Sequence, residues 1–401
     1  MKRILIFSLT YHPFIGGAEV AIKEITDRQD SEDLEFDMIT LRFNNKLPKF
    51  EHIGMVNVHR IGFSTTNPSI SDLSSWPLKI NKYLFPFLGL FKALSLNKTR
   101  RYDALWNMMA NYSAFAGLFF KLIKPRVKYL LTLQEGDPID HIRGRVGFFY
   151  PLFKKLFTKA DFIQVISTHL GNWARDEGYK GPLVVIPNAV DVRKFSRKYG
   201  ESELLELEKK LNKKDGDIFL ITTSRLVKKN ACDDVIKSLK LLPANIKFIV
   251  LGIGPDELML RKLTQDTGIE ERVIFLGQIA QDEIPKYLQV SDIFIRPSLS
   301  EGFGNSFVEA MASGLPVIAT QEGGIADFLF DPRSNPDKEP TGRAVSPRNP
   351  EEIARAVELY LKDKKTTEKI IENARKMVIE KYDWNKIAQD MRTEVFNQVL
   401  K

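Results

Sequence analysis

Cysteine is almost missing from this 401-residue chain. The single Cys232 excludes a disulfide framework and a multi-cysteine metal site, and suits a reducing compartment. Long apolar runs are missing too. No stretch of 18 uninterrupted apolar residues occurs, so no transmembrane helix is expected. The apolar run in MKRILIFSLTYHP is too short for a signal peptide and reads as a first β-strand. There is no internal repeat and no low-complexity tract. Also absent is the Gly-x-Gly-x-x-Gly turn followed, about 20 positions on, by an acidic residue, which a nicotinamide oxidoreductase would want. YHPFIGGAE and LGIGPDEL both lack that spacing, which excludes this class.

What is present is ordinary in bulk and uneven in place. With 43% hydrophobic and 27% charged residues the chain is globular, and it is long enough for two buried cores. Residues 1–190 carry 25 Lys+Arg against 17 Asp+Glu, and the remainder 34 against 34. Residues 76–160 are the basic centre, with 15 against 4, a net +11. In WPLKINKYLFPFLGLFKALSLNKTRR and GRVGFFYPLFKKLFTKA the cations alternate with Phe, Leu and Tyr. That composition suits an anionic membrane surface or a polyanionic partner. It equally suits amphipathic helices packed on a sheet with their lysines in water, and both readings stay open.

Short apolar runs alternate with longer helical patterns, the signature of parallel β-α-β units. The first series of strands is RILIFSL, FDMITL, VNVHRI, ALWNMM, KYLLTL, DFIQVIS and LVVIPNA. A charged, helix-prone segment, ESELLELEKKLNKKDGD, separates it from a second series: IFLITTSRL, IKFIVLGIG, RVIFLG, DIFIRPS and PVIAT. The expected fold is α/β, two doubly wound Rossmann-like domains over residues 1–192 and 193–380. A C-terminal amphipathic helix, 381–401, should pack back on the first domain. Ligands of such folds sit at the carboxyl ends of the strands.

SLSEGFGNSFVEAMASGLPV, residues 298–317, holds the densest chemistry. Ser306 and Glu309 fit a Ser-x-x-Glu capping box at the start of a helix closed by Gly314, which leaves Glu301 unexplained. Gly302 and Gly304 let a ligand approach a helix N-terminus, which favours anions. Arg225 and Lys229 in TTSRLVKKN, Gly252 and Gly254 in LGIGP, and the bend in FLGQI follow other strands and should reach the same edge. Two cations with free amides suit a diphosphate, and a carboxylate such as Glu309 can accept hydrogen bonds from a ribose diol.

In this order the motifs resemble those of the family 4 glycosyltransferases, which are retaining enzymes of the GT-B fold. YHPFIGGAE is similar to the family's N-terminal glycine loop, IPNAVDVRKF to its interdomain signature and SRLVKKN to its phosphate-binding Arg/Lys pair. SEGFGNSFVEAMASGLPVIAT resembles its Glu-x7-Glu motif, and GGIADF and TGRAVSPRNPEEIARAV the segments that follow. The resemblance implies that Glu301, with the Phe303, Gly304 and Asn305 amides and Ser306, holds the transferring sugar and the diphosphate. It implies that Glu309 binds the ribose, that Arg225 and Lys229 neutralise the leaving diphosphate, and that Gly252 belongs to the donor site. Gly16 and Gly17 would close over the donor, and Gly277 and Ile279 would face its base. It further implies a UDP- or GDP-type sugar donor, no cofactor and no metal, a glycan or lipid-linked acceptor, and no nucleic acid. The expected location is cytoplasmic, at the inner face of a membrane if the basic window meets one.

Two features depart from the pattern or compete with it. Relatives often carry a histidine after the strand that corresponds to LLTL, where this chain has Gln134 and Glu135. Glu135, Asp137 or His141 could take a proton role there, and His12 also lies in a loop bordering the expected cleft. Asp215-Gly216-Asp217 has the Asp-x-Asp form of metal-dependent transferases, but its polar linker context reads as a turn. The alternatives are a same-fold epimerase, against which the intact Glu-x7-Glu motif argues, and a degenerate binding protein, which the missing histidine keeps in play. A phosphorylase is disfavoured by the lack of a lysine motif for a pyridoxal cofactor.

Overall fold

Runs of branched and aromatic residues buried on both faces make the strands, as parallel sheets covered by helices require; Ile4, Leu5, Ile6 and Phe7 are all at most 1% exposed. The computed structural model describes residues 1–14, 16–30, 32–68, 72–73 and 75–401. The chain divides into two units, Met1–Asn188 with Trp384–Lys401, and Ala189–Asp383.

Among the described residues the first unit is built on eight strands: β1 (Lys2–Phe7), β2 (Leu34–Leu41), β3 (Phe50–Ile53), β4 (Val56–Ile61), β5 (Ala104–Met108), β6 (Lys128–Leu133), β7 (Phe162–Val165) and β8 (Leu183–Val185). Their order is β3-β4-β2-β1-β5-β6-β7-β8. Every pairing is parallel except β3 with β4. The seven expected strands form. β3 was not anticipated, because FEHI has no apolar run; it is a half-exposed edge that folds back on β4 through Gly54, at φ +55°. The helices used below are α1 (Gly17–Thr26), α2 (Lys79–Arg100), α3 (Tyr112–Ile123), α4 (Ile139–Val146) and α5 (Tyr150–Thr158). Phe7, Leu41, Phe85, Ala93 and Phe120 join sheet and helices in one core.

The C-terminal segment belongs to this unit. Its helix is not continuous: Trp384–Asp390 is α-helical, Met391–Phe396 widens into a π turn, and Asn397–Val399 is α-helical again. Phe396 is buried, with its ring 5.3 Å from Trp106 and 5.9 Å from Phe36.

The second unit has six parallel strands: β9 (Ile218–Thr223), β10 (Ile246–Leu251), β11 (Val273–Gly277), β12 (Ile293–Arg296), β13 (Val317–Ala319) and β14 (Arg343–Ala344). Their order is β11-β10-β9-β12-β13-β14. β14, only two residues long, gave no periodicity to read. The winding reverses at β9, which lies between β10 and β12. A crevice therefore opens at the carboxyl ends of β9 and β12, where doubly wound folds take ligands. The charged segment before β9 is a helix, Glu201–Lys210. Asp215 and Gly216 do form a turn, with Gly216 at φ +81°, and the Asp217 carboxylate is held by Lys247 at 2.6 Å.

Candidate functional site

Hydrogen bonds stitch the loops at the carboxyl edge of the second sheet into one surface. The Leu299 N–H donates to the Lys229 carbonyl at 2.7 Å, which joins the loops after β9 and β12 across the crevice. Leu226 N–H donates to Ile253 O at 3.0 Å, and Gly252 N–H to Gly277 O at 2.7 Å, which brings in the loops after β10 and β11. Gly324 N–H donates to Glu301 O at 2.9 Å, adding the loop after β13. The approach is close enough to demand glycine. A Cβ on Gly252, at φ +140°, would lie 1.9 Å from Ser224 O, and one on Gly323, at φ +64°, would lie 2.1 Å from Glu301 O.

The helix Asn305–Ser313 starts on this surface, and it starts differently from expectation. Its cap is Gly304, in the left-handed region at φ +91°, and no side chain caps it. The Ser306–Glu309 capping box does not form. Ser306 lies one residue inside the helix, and its hydroxyl accepts from Arg296 Nη1 at 2.8 Å. Glu309 turns to the loop after β11, where Gln281 Nε2 donates to its Oε1 at 3.2 Å. Burial of its carboxyl pushes Glu309 up to about 7, against the pull of Lys194, the Gln281 amide and Arg296, although the residue keeps partial contact with solvent. The first N–H groups of an uncapped helix have no intrahelical acceptor and attract anions.

Arg296, which had no role in the sequence reading, organises this corner. It is 6% exposed, at the end of β12. Its Nη2 donates to Glu301 Oε2 at 3.1 Å, and its guanidinium lies over the Phe307 ring at 4.3 Å. Its Nε is buried with no partner among the described residues. The sequence signal was an arginine where a buried strand should end in an apolar residue. Lys194 and Gln281 gave no such signal. Lys194 pairs with Asp282 at 2.8 Å, and its charge reaches Glu309.

The remaining residues of the predicted donor set lie on the same edge. Arg225 is exposed, and Lys229 and Ile279 are half-buried. Gly277 sits at φ +70°. The Phe303 side chain is core, 5.2 Å from Phe328 and 5.4 Å from Tyr382 between ring centroids, so only its backbone can serve a ligand.

The first unit places Gly16, Gly17 and Glu135 at the carboxyl edge of its own sheet. Gly16 caps α1, where a Cβ would lie 2.6 Å from Glu19 Oε2. Ile15 of the glycine loop lies outside the described residues. Glu135 is buried: Oε1 accepts from the Ala110 N–H, while Oε2 has no partner among the described residues. Burial pushes this carboxyl up to about 7. Gln134 Oε1 accepts from Asn188 Nδ2 at 3.3 Å. Asp137 and His141 are exposed, His141 on α4. His12 is half-buried, with Nε2 lacking a partner among the described residues, and burial lowers its affinity for a proton.

Two family models match the chain. Residues 15–194 match Glycosyltransferase Family 4, and residues 205–377 match Glycosyl transferases group 1. An uncharacterized glycosyltransferase of Methanocaldococcus jannaschii is 26% identical over 97% of this chain and 96% of its own. An alpha-monoglucosyldiacylglycerol synthase of Streptococcus pneumoniae is 26% identical over 79% of this chain and 70% of its own. Among solved structures, the Anabaena protein HepE, crystallised with UDP and glucose, superposes with a TM-score of 0.76 at 20% identity, covering 99% of this chain and 100% of its own.

Proposed function

Because the chain belongs to the family 4 glycosyltransferases, we propose that it moves a sugar from a UDP- or GDP-type donor to a hydroxyl acceptor, with retention and without a metal. The observation that carries this reading is the stitched edge of the second unit. There Glu301, held by Arg296, and Glu309, held by Gln281, flank an uncapped helix N-terminus beside Arg225 and Lys229.

In the proposed step the bond from the sugar C1 to the diphosphate oxygen breaks, and a bond from C1 to the acceptor oxygen forms. The acceptor's proton leaves with the diphosphate. Negative charge grows on that diphosphate as the sugar becomes oxocarbenium-like, and preorganised donors aimed at growing charge are usually the largest catalytic contribution. Arg225, Lys229 and the amides of Gly304 and Asn305 supply them, in the place a divalent ion would otherwise fill. Glu301 orients the sugar, and Glu309 accepts from the ribose hydroxyls. The UDP in the HepE structure supports a uridine donor, and the diacylglycerol named for the S. pneumoniae relative supports a lipid-linked acceptor.

A second reading, a sugar-nucleotide binder without turnover, is favoured only by Gln134, which cannot carry a proton. Release of nucleotide from a donor sugar separates the two. Nucleotide affinity tests the assignment itself: Glu309→Ala should weaken it about tenfold, while Glu301→Gln should leave it near wild type and lower turnover. Equal nucleotide affinities in both variants and wild type would sink these roles.

A further inference from the structure

The helix α2 is apolar on the side that meets water. Its inner side already fills the core: Phe85 and Ala93 are buried, and a Cβ on Gly89 would lie 2.9 Å from Ala116 of α3. On the outer side Tyr83, Leu84, Phe87, Leu88 and Phe91, repeating by fours, are 37% to 67% exposed. A helix at the surface of a soluble domain normally turns its polar residues there. The apolar strip continues onto α3. Phe87 meets Phe119 at 6.2 Å between centroids, and Leu122 and Ile123 stand half-exposed beyond it. Trp76 precedes α2 and is 78% exposed, while Phe148 and Phe149 follow α4, Phe148 being 93% exposed.

Cations gather at the start of this strip, and α2, α3 and α5 contain no carboxylate. Tyr83 on α2 meets Tyr112 at the start of α3, 5.3 Å apart. Lys79, Lys82 and Arg145 crowd the same end: burial, then Arg145, then Lys79, lower the affinity of the Lys82 ammonium for its proton. By contrast α5 buries Phe153, Leu156 and Phe157 and leaves Lys155 in water. The expectation of lysines facing solvent describes α5. It describes α2 only at its ends, where Lys79 and Lys98 are exposed; between them Lys82 and Lys92 are half-buried and aromatic rings stand out.

We propose that this face of the first unit docks on an anionic bilayer, with the α2 strip and Phe148 entering the headgroup–acyl boundary and Lys79, Lys82 and Arg145 meeting lipid phosphates. Apolar bulk at the interface together with cations is what such surfaces bind. Tyr and Trp favour the same depth. A second copy of the chain is a poorer occupant, since a symmetric contact would set Lys79, Lys82 and Arg145 against themselves. Among the described residues no helix is long and apolar enough to cross a membrane, so the contact is peripheral. The proposal concerns one unit only and does not depend on the donor chemistry of the other.

Co-sedimentation of the full chain with vesicles tests it. Binding is expected to phosphatidylcholine vesicles containing phosphatidylglycerol, weakening with salt, and not to phosphatidylcholine alone. Replacing Phe87 and Phe91 together by Ser should lower partitioning about tenfold or more, and Arg145→Glu should lower it on the anionic vesicles. A nucleotide-induced shift of the unfolding midpoint, retained in these variants, would show that the fold and the donor site are intact. The proposal is overturned if the wild-type chain stays in the supernatant with both compositions, or if the double variant partitions like wild type. It is also overturned if sedimentation velocity shows a dimer that the same substitutions dissolve.

Discussion

Arg296 and Glu301 form a pair at the floor of the site, with side chains 7% and 15% exposed. Removing one partner of a buried pair strands the other charge, so Arg296→Met should cost about 3 kcal/mol in unfolding measurements. It should also lower turnover more than nucleotide affinity, because Glu301, the carboxylate proposed to orient the sugar, loses its anchor. Arg296→Lys keeps the charge without the planar fork and should recover stability better than turnover. Glu135 is a second residue with a measurable signature. Burial raises its carboxyl from the ordinary 4.5 to about 7, so the folded chain holds that proton more tightly than the unfolded chain does. Stability should therefore fall as pH rises from about 4.5 to about 7 and level off above, by up to about 3 kcal/mol at about 1.4 kcal/mol for each tenfold step. Glu135→Gln should flatten that part of the stability–pH profile; an unchanged slope would assign it to other groups.

The loops that carry the site depend on backbone contact between elements. Gly252 is the clearest case, with no room for a methyl group against Ser224 O. Gly252→Ala should cost about 2–3 kcal/mol through strain and steric displacement, and should weaken nucleotide binding by parting the loops after β9 and β10. A variant with wild-type unfolding and affinity would contradict the stitched edge. Periodicity made most of this architecture legible before the structure. Buried parallel strands such as ILIF and IFLI are continuous apolar runs, and glycine-rich loops mark where they end. What periodicity could not give is informative as well. β3 and β14 are too polar or too short to stand out. Ser306 and Glu309 satisfy a local capping rule that Arg296 and Gln281, 10 and 28 positions away, override. The aromatic strip on α2 has the same spacing as a buried face, so only the packing of Phe85 and Ala93 on the other side reveals that it is uncovered.

Over the whole molecule, the last stretch of chain completes the first unit after the second has been built. Ile387, Met391, Val395 and Phe396 are at most 1% exposed there. Phe396→Ala should cost about 3–5 kcal/mol, read as earlier melting of the unit that holds Trp106. The same view separates the tasks: a neutral second unit carries the residues assigned to the donor, and a basic first unit carries the apolar strip. The most direct measurement of the donor site is the thermal unfolding midpoint against UDP, GDP and their sugars, with no metal added. A ligand bound only to the folded state at a hundredfold its Kd stabilises by about 2.7 kcal/mol, a shift of several degrees, roughly, for a unit of this size. The account predicts such a shift with one base and its loss in Glu309→Ala. A midpoint unmoved by every nucleotide, or moved equally in Glu309→Ala, would contradict it.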